Sequence, residues 1–463
     1  MISKIYKNHI KNSKFDDFIK KNLNFFLKRK YLTKAFWQWY NFLDEASYWD
    51  EAKVMDFQLD RLKELVNYAY NNTDYFFNLF NELAINPKSI QSFDDFKNLP
   101  FSDRHLFMKE KKRLLSRSID LSKCHYVRTS GTTGNPLVFY KPSICFTYEL
   151  ATIYHFWKRI GFSPFEKRFV LNGDILPDKK PWIYATGNYI RFSPNKMNKE
   201  RVNLYLKLMN NYGAKYLHGY PSAISLMAKV IKENNLTLSL KLKGVFLGTE
   251  PIYQWQRDVI SNVFGCRVFS HYGNTEAVAL AGECEESSFY HFSSLFSYVE
   301  LDDQTNEIIG TSFWNDANPF IRHRTKDIAK PLTNVKQCSC GRNGLLIETV
   351  EGRQGDYLIS LQDEYIFPQA VSWITYGTET VKESQIIQHK DYSIVFRYTP
   401  YNFALRDDLN KDLKHIKNRL LDMMGGPVKI DFEEEEFIEK TARGKVRWIQ
   451  SEISEGLIET GLP

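Results

Sequence analysis

From about residue 125 to residue 352, short apolar runs alternate with amphipathic stretches, and the apolar runs stop at polar turns. This alternation restricts the fold more than any other feature. "HYVRTS" and "PLVFY" read as strands on either side of a small, polar, glycine-rich stretch, "RTSGTTGNP" at 128–136. "RVNLYLKLMNNYG" carries apolar residues at helical spacing and is followed by a strand, "AKYLHGY". "PSAISLMAKVIKENN" predicts a helix with Pro221 in its first turn, where a missing N–H costs nothing. "LKGVFLGTE", "PIYQWQRDVISNVFG" and "CRVFSHYGNTE" read as strand, helix and strand. Such alternation predicts sheets covered by helices. Ligands in such sheets sit beyond the C-terminal strand ends. The turns at Thr129, Gly248 and Tyr272 are therefore expected to line one cleft.

The flanks differ. Residues 1–95 read as helical; in "FQLDRLKELVNYAYNN", Phe57, Leu59, Leu62, Leu65, Val66 and Tyr70 recur at helical spacing. Near 352 the character changes at "EGRQGD", a polar glycine turn read as a hinge. Beyond it come a strand run, "YSIVFRY", and a helical run, "RDDLNKDLKHIKNRLLDMM", that stops at Gly425 and Gly426. The expected fold class is α/β: a large N-terminal domain of helix-covered sheets with a helical extension, plus a small mobile α+β C-terminal domain. The expected divisions are 1–95, 96–352 and 353–463. At 463 residues the chain is too long for one compact core.

Net charge is +7, much of it from Lys4, Lys7, Lys11, Lys14, Lys20, Lys21, Lys28, Arg29 and Lys30. A solvated helix face and a peripheral contact with a membrane or an acidic partner both fit that cluster. No apolar run approaches the roughly 18 to 20 residues that span a bilayer. No secretory signal is apparent either, so a cytoplasmic location is expected. No nucleic-acid recognition motif stands out, so no such partner is expected. Six cysteines in so long a chain do not make a disulfide framework.

Serine, threonine and glycine in one tight turn suit phosphate, because glycines let backbone N–H groups converge and hydroxyls add donors. "SGTTGNP" is neither a Walker A loop, which needs Lys after the last glycine, nor G-x-G-x-x-G. By itself it fits a hairpin turn as well as a nucleotide site. Further on come G-T-E-P at 248–251, Y-G-N-T-E at 272–276, R-T-K-D at 324–327, G-R-Q-G-D at 352–356 and G-K-V-R at 444–447. In this order the motifs resemble the adenylate-forming (AMP-forming acyl ligase) superfamily. The likeness runs from about residue 50 to 450. It is nearest to the phenylacetate–coenzyme A ligase branch and its relatives associated with capsular polysaccharide synthesis, which "HGYPS" at 218–222 also resembles.

The resemblance implies roles. Thr129, Ser130, Gly131, Thr132, Thr133 and Gly134 would wrap the ATP phosphates. Gly248, Thr249, Glu250 and Pro251 would form the adenine pocket. Tyr272 and Gly273 would lie by the adenine, Thr275 by the α-phosphate, and Glu276 would hold Mg²⁺. Asp327 would bond the ribose hydroxyls, although Lys326 stands where the family has glycine. That puts the turn in question, because lysine tolerates a positive φ poorly. Arg353 would belong to the hinge, whose aspartate is displaced by one residue to Asp356. Lys445 would reach the α-phosphate and the carboxylate. His218, Tyr220 and Ser222 would line the acyl pocket; for His218, a backbone hydrogen bond at a strand end fits equally.

Cys284, His291, Cys338 and Cys340 offer three thiols and an imidazole, a set that suits tetrahedral zinc. Buried inert cysteines fit the same spacing, and the resemblance to several relatives favours structural Zn²⁺. Cys124, Cys145 and Cys266 read as core cysteines. The expected reaction is ATP-dependent activation of a carboxylic acid to an acyl-adenylate, with release of pyrophosphate, then transfer to coenzyme A. The alternatives are transfer to an amine on an amino sugar or glycan precursor, and a non-catalytic nucleotide-binding homologue. The partners implied are a small carboxylate and a thiol or amine acceptor, with a homodimer as one open assembly.

Overall fold

A computed structural model describes residues 32–453 apart from 130–136, 173–175, 177–179, 186–187, 195–196, 251, 253, 333–337, 352–357, 364, 367–370, 372–373, 376–377, 379, 402–403 and 439–447. The basic N-terminal cluster lies outside these residues. Helices open the chain: α1 (Lys34–Ala46), α2 (Glu51–Asn72) and α3 (Asp74–Glu82). Each begins at a side chain that accepts an orphan N–H: Thr33 for α1, Asp50 for α2 and Thr73 for α3. The predicted stripe on α2 is present, with Leu62, Leu65 and Val66 buried.

A hairpin of β1 (Cys124–Arg128) and β2 (Val138–Pro142) follows, and it leads into α4 (Ser143–Lys158). The rest of the large unit is one twelve-stranded sheet. Its strands are β3 (Arg168–Leu171), β4 (Trp182–Ala185), β5 (Tyr189–Phe192), β6 (Tyr216–Gly219), β7 (Gly244–Leu247), β8 (Arg267–Gly273), β9 (Leu280–Glu283), β10 (Tyr290–Phe292), β11 (Ser297–Leu301), β12 (Glu307–Ser312), β13 (His323–Pro331) and β14 (Leu346–Glu351). Between the parallel strands run α5 (Lys199–Tyr212), α6 (Pro221–Glu233) and α7 (Gln254–Phe264).

The sheet has two characters. Strands β8, β7, β6, β3 and β5 are parallel neighbours, and β4 pairs antiparallel at their edge. From β8 outward, β9, β10, β14, β13, β12 and β11 follow as antiparallel pairs. The parallel strands are mostly apolar because both faces are covered. On one face Phe169, Leu171, Leu217, Val245 and Leu247 pack among residues of α5, α6 and α7. On the other, Tyr216, Phe246 and Phe269 pack with Trp157 of α4 and with Phe36 and Trp39 of α1. The indole N–H of Trp39 donates to Thr152 Oγ1 at 2.9 Å, and Asp44 accepts from Lys158 Nζ at 2.6 Å. The N-terminal helices therefore share a core with the sheet rather than forming one of their own.

Past residue 357 come a two-stranded pair, β15 (Leu358–Ile359) with β16 (Tyr365–Ile366), and a separate four-stranded sheet. The latter orders β19 (Ile430–Glu434), β18 (Ile394–Pro400), β17 (Val381–Gln388) and β20 (Ile449–Ser451). Helix α8 (Arg406–Met424) shares its core through Ile416, Leu420 and Met424, against Ile386, Phe396 and Trp448. Cys145 is buried as expected, but Cys124 and Cys266 are only half-buried. Cys124 sits on the outer β1 hairpin strand, which no helix covers on its exposed face, and Cys266 sits at the turn into β8. Among the described residues no helix is long and apolar enough to cross a membrane.

Candidate active site

The C-terminal ends of the parallel strands are held by close approaches that only small residues permit. At the end of β6, a Cβ on Gly219 would sit 2.0 Å from the Leu171 carbonyl oxygen of β3. At the end of β7, a Cβ on Gly248 would sit 2.6 Å from the His271 ring. Tyr220 N–H then donates to Leu171 O at 3.1 Å, and α6 starts at Pro221. The first N–H groups of a helix have no partner within it. The N–H of Ser222 is taken by Glu250 Oε2 at 3.1 Å, from the turn after β7. Two residues expected in different subsites thus meet, and Glu250 ties neighbouring turns while placing a carboxylate at a helix N-terminus. Thr249 adopts φ 76° in this turn, and Pro251 lies outside the described residues.

The Y-G-N-T-E turn is fixed by its middle residue. Asn274 Oδ1 accepts from Val278 N–H at 3.0 Å, while its carbonyl accepts from Ala277 N–H at 3.1 Å. Thr275 and Glu276 are carried on this loop. A residue that carries no motif supports them. Lys141 of β2, 1% exposed, donates from Nζ to the Thr275 carbonyl at 3.1 Å and to the Glu149 carboxylate. Burial opposes its charge most strongly, but Glu149, Cys145 and Glu276 together outweigh it and hold the ammonium above its ordinary range. The strand that leaves the phosphate-loop motif is therefore pinned to the turn that bears Glu276. At the mouth of that loop, Thr129 and Leu137 close on each other. Thr129 N–H donates to Leu137 O at 2.9 Å, and Thr129 Oγ1 accepts from Leu137 N–H at 3.0 Å. Ser130, Gly131, Thr132, Thr133 and Gly134 lie outside the described residues, as do Arg353, Asp356 and Lys445.

The R-T-K-D turn answers the question its lysine raises. Lys326 takes the left-handed conformation, φ 64°, that glycine would adopt freely. Glu307 compensates: Oε1 accepts from Lys326 N–H at 2.8 Å, and Oε2 accepts from Arg324 Nε at 2.9 Å. Arg324 also reaches Asp302 at 3.0 Å. The turn delivers Asp327 to β8, where Tyr272 O–H donates to Asp327 Oδ2 at 2.9 Å. Burial and the facing carboxylate push the Tyr272 phenol far above its ordinary range. Two motif residues 55 positions apart are thereby in direct contact. Sequence reading missed Lys141 and Glu307, because neither stands in a motif and each acts on a turn remote in the chain.

His218 faces α4. Its ring lies 4.8 Å from that of Trp157 and 6.0 Å from that of His271, and its Nδ1 meets no partner among the described residues. The backbone bond open to it at the strand end is not made through that nitrogen. Tyr220 is half-buried against the core between the sheet and α5, α6 and α7.

The four zinc candidates come together. Cys284 follows β9, His291 lies in β10, and Cys338 and Cys340 lie between β13 and β14; their ligand atoms are all within 4.8 Å of one another. Cys284 Sγ is 3.6 Å from Cys338 Sγ, and Cys340 Sγ is 3.7 Å from His291 Nε2. Zinc–sulfur bonds of about 2.3 Å in a tetrahedron give edges of about 3.8 Å, so the donor set fits the ion. Burial, then Arg159 and Arg342, push His291 down to about 3, which keeps the imidazole neutral as a ligand must be. The two arginines also offset the negative charge that three thiolates bring to one ion. Three of the four residues are buried, and an ion held by all four would have no open position, so it would staple the strands rather than catalyse.

No protein-family model matches the chain. It is similar to protein CapK of Staphylococcus aureus, with 24% identity over 432 residues, covering 91% of this chain and 93% of that protein. It is similar to the phenylacetate–coenzyme A ligase of Thermus thermophilus, with 20% identity over 363 residues, covering 73% and 79%. Among solved structures it resembles a 2-hydroxyisobutyryl-CoA ligase in complex with 2-HIB-AMP and CoA, at a TM-score of 0.57 and 17% identity, covering 90% and 94%. These likenesses support an AMP-forming, acid–CoA ligase-like enzyme of the adenylate-forming type, similar over most of its length to CapK and to the phenylacetate–coenzyme A ligases.

Proposed function

We propose that the protein activates a carboxylic acid with ATP and passes the acyl group to coenzyme A. One observation carries the reading: Tyr272 and Asp327, from separate motifs, meet at 2.9 Å at the end of β8, beside the turn that bears Glu276. An adenine lying along Tyr272 would leave its ribose hydroxyls within reach of Asp327. Thr129 and the loop after it would hold the phosphates. Mg²⁺ supplies charge neutralisation when bound, and a single carboxylate, Glu276, beside phosphate oxygens suits its preference for oxygen ligands. The acid's carboxylate oxygen attacks the α-phosphorus, the bond to the pyrophosphate oxygen breaks, and an acyl-adenylate results. Negative charge builds on the α-phosphate oxygens, and Lys445 would neutralise it. A thiolate then attacks the acyl carbon, and AMP leaves with the bonding electrons. The division into 1–95, 96–352 and 353–463, with a hinge near 352–356, would let Lys445 withdraw between the two steps. A cytoplasmic location would supply both ATP and CoA.

An amine acceptor is the second reading. The match to CapK, which spans 91% of the chain against 73% for the Thermus ligase, favours keeping it. Acid-dependent exchange of labelled pyrophosphate into ATP tests activation itself; no exchange with any acid in a broad panel would sink it. Product mass after addition of CoA or an amino sugar then decides the acceptor.

A further inference from the structure

Below the strand-end cleft, on the face of the sheet that α4 covers, lies a cation with no counter-ion among the described residues. Arg168, at the start of β3, is 6% exposed. Its guanidinium lies over three rings, 4.6 Å from Tyr189, 5.1 Å from Tyr154 and 5.6 Å from Trp157. Rings attract a cation through their faces but supply no acceptor for its N–H groups. Nε and Nη1 of Arg168 have no hydrogen-bond partner, and no carboxylate pairs with it among the described residues. Other polar atoms nearby are in the same condition: Trp157 Nε1, His218 Nδ1 and His271 Nδ1 are buried and unpartnered. Arg168, His218 and His271 gather around Trp157, whose ring is 4.8 Å from His218 and 5.8 Å from His271.

A guanidinium edge, an indole N–H and two imidazole nitrogens that converge without protein partners offer several polar groups to one small ligand. A guanidinium keeps its proton at any ordinary pH, and with no carboxylate beside it among the described residues an anion is the partner that its charge favours most. The register gives direction. Val170 pairs with His218, and Arg168 with Tyr216, so Arg168 lies two residues deeper than His218. Ser270 pairs with Leu247, so His271 lies level with Gly248 at the cleft. His218 and His271 are only half-buried, whereas Arg168 beneath them is buried, so the strand ends are the open side of this cluster. Two residues of strand rise by about 6.6 Å, the span of several carbon–carbon bonds.

We infer that Arg168, with His218, His271 and Trp157, forms a specificity pocket for an anionic tail on the acid, so that the substrate class is acids bearing a second carboxylate. This rests on the adenylation reading above. The activated carboxylate would sit at the strand ends beside Thr275, and the distal one would descend past the two imidazoles onto the guanidinium fork. A carboxylate there supplies the paired acceptors that a guanidinium edge is shaped for.

The test compares acids of equal length. Glutarate and adipate are set against valerate and hexanoate, with phenylacetate as an aromatic reference. Binding to the full chain is read by titration calorimetry, and turnover by pyrophosphate exchange. We expect the dicarboxylates to bind at least about tenfold more tightly than the monocarboxylates of equal length, whose tails carry no charge, and R168M to erase that preference. R168K keeps the charge without the fork and should fall between. If either variant fails to fold, the wild-type preference decides alone. Exchange or binding in which hexanoate, valerate or phenylacetate equals or exceeds the dicarboxylates overturns the anionic tail and leaves adenylation standing. Dicarboxylate binding without exchange for any acid overturns adenylation and leaves the pocket. Absence of dicarboxylate binding overturns the pocket outright.

Discussion

The Cys/His cluster and the strand-end cleft occupy one sheet and are built by opposite means. In the cluster, four side chains from the β9–β10 hairpin and the β13–β14 connection converge until their ligand atoms lie within 4.8 Å. In the cleft, side chains mostly serve the backbone: Glu250 holds the start of α6, Asn274 closes its own turn, Lys141 holds the Thr275 carbonyl and Glu307 holds Lys326. The cluster lies in the antiparallel half, where a staple can tie hairpins that share few pairs; β10 and β14 have only two register pairs, Tyr290 with Ile347 and His291 with Leu346. The cleft lies where parallel strands end together and present several turns to one ligand. Damage to the first should cost stability, and damage to the second should cost chemistry.

The largest separation of the two effects is expected from Lys445→Ala. Removal of a charge that acts only in the transition state should lower pyrophosphate exchange by about 10³-fold, or about 4 kcal/mol. Thermal stability and zinc content should not move, and thioester formation from preformed acyl-adenylate should survive. Equal loss in both half-reactions would break the two-step assignment.

Next in size is the staple. Purified protein should carry about one equivalent of zinc, and Cys340→Ser should release it with a loss of about 3 kcal/mol in stability. Exchange measured well below the melting temperature should stay near wild type. Zinc below half an equivalent, or a variant as stable as the parent, would remove the cluster from the comparison.

Lys141→Met probes the contact between loop strand and turn. It leaves the Glu149 carboxylate and the Thr275 carbonyl without their donor, and the partial exposure of Glu149 limits the cost to about 2 kcal/mol. If Lys141 positions the Glu276 turn, the magnesium concentration for half-maximal exchange should rise more than stability falls. Methionine that lowers only the melting temperature would make Lys141 a structural residue alone.

How far these sites were legible follows from how they are built. The strands and helices around the cleft show in the sequence because period and turn residues are local signals, and the Cys-x-Cys pair shows because its donors are chemically distinctive. Glu250 on Ser222, Lys141 on Thr275 and the aromatic cage of Arg168 do not show. Each is a contact between elements remote in the chain, and none needs a particular spacing. Trp39 of α1, bonded to Thr152 of α4, is a further case: helical spacing finds α1 but not the sheet core it joins.

Lys326 is the sharpest instance, and Lys326→Gly the smallest expected effect. From the sequence, lysine in place of glycine argues against the turn, because a left-handed residue with a Cβ carries a cost of about 1 kcal/mol. The structure keeps φ at 64° because Glu307 accepts the Lys326 N–H at 2.8 Å. Glycine would remove the strain but gain freedom in the unfolded chain, and the two nearly cancel. We expect a stability change within about 1 kcal/mol and an unchanged KM for ATP, read from the melting temperature and exchange kinetics. Glu307→Gln should do more than Lys326→Gly, since it weakens the hold on Arg324 as well as the acceptor for Lys326. A larger effect from the glycine variant, with a raised KM, would mean that the lysine side chain itself takes part at the nucleotide site.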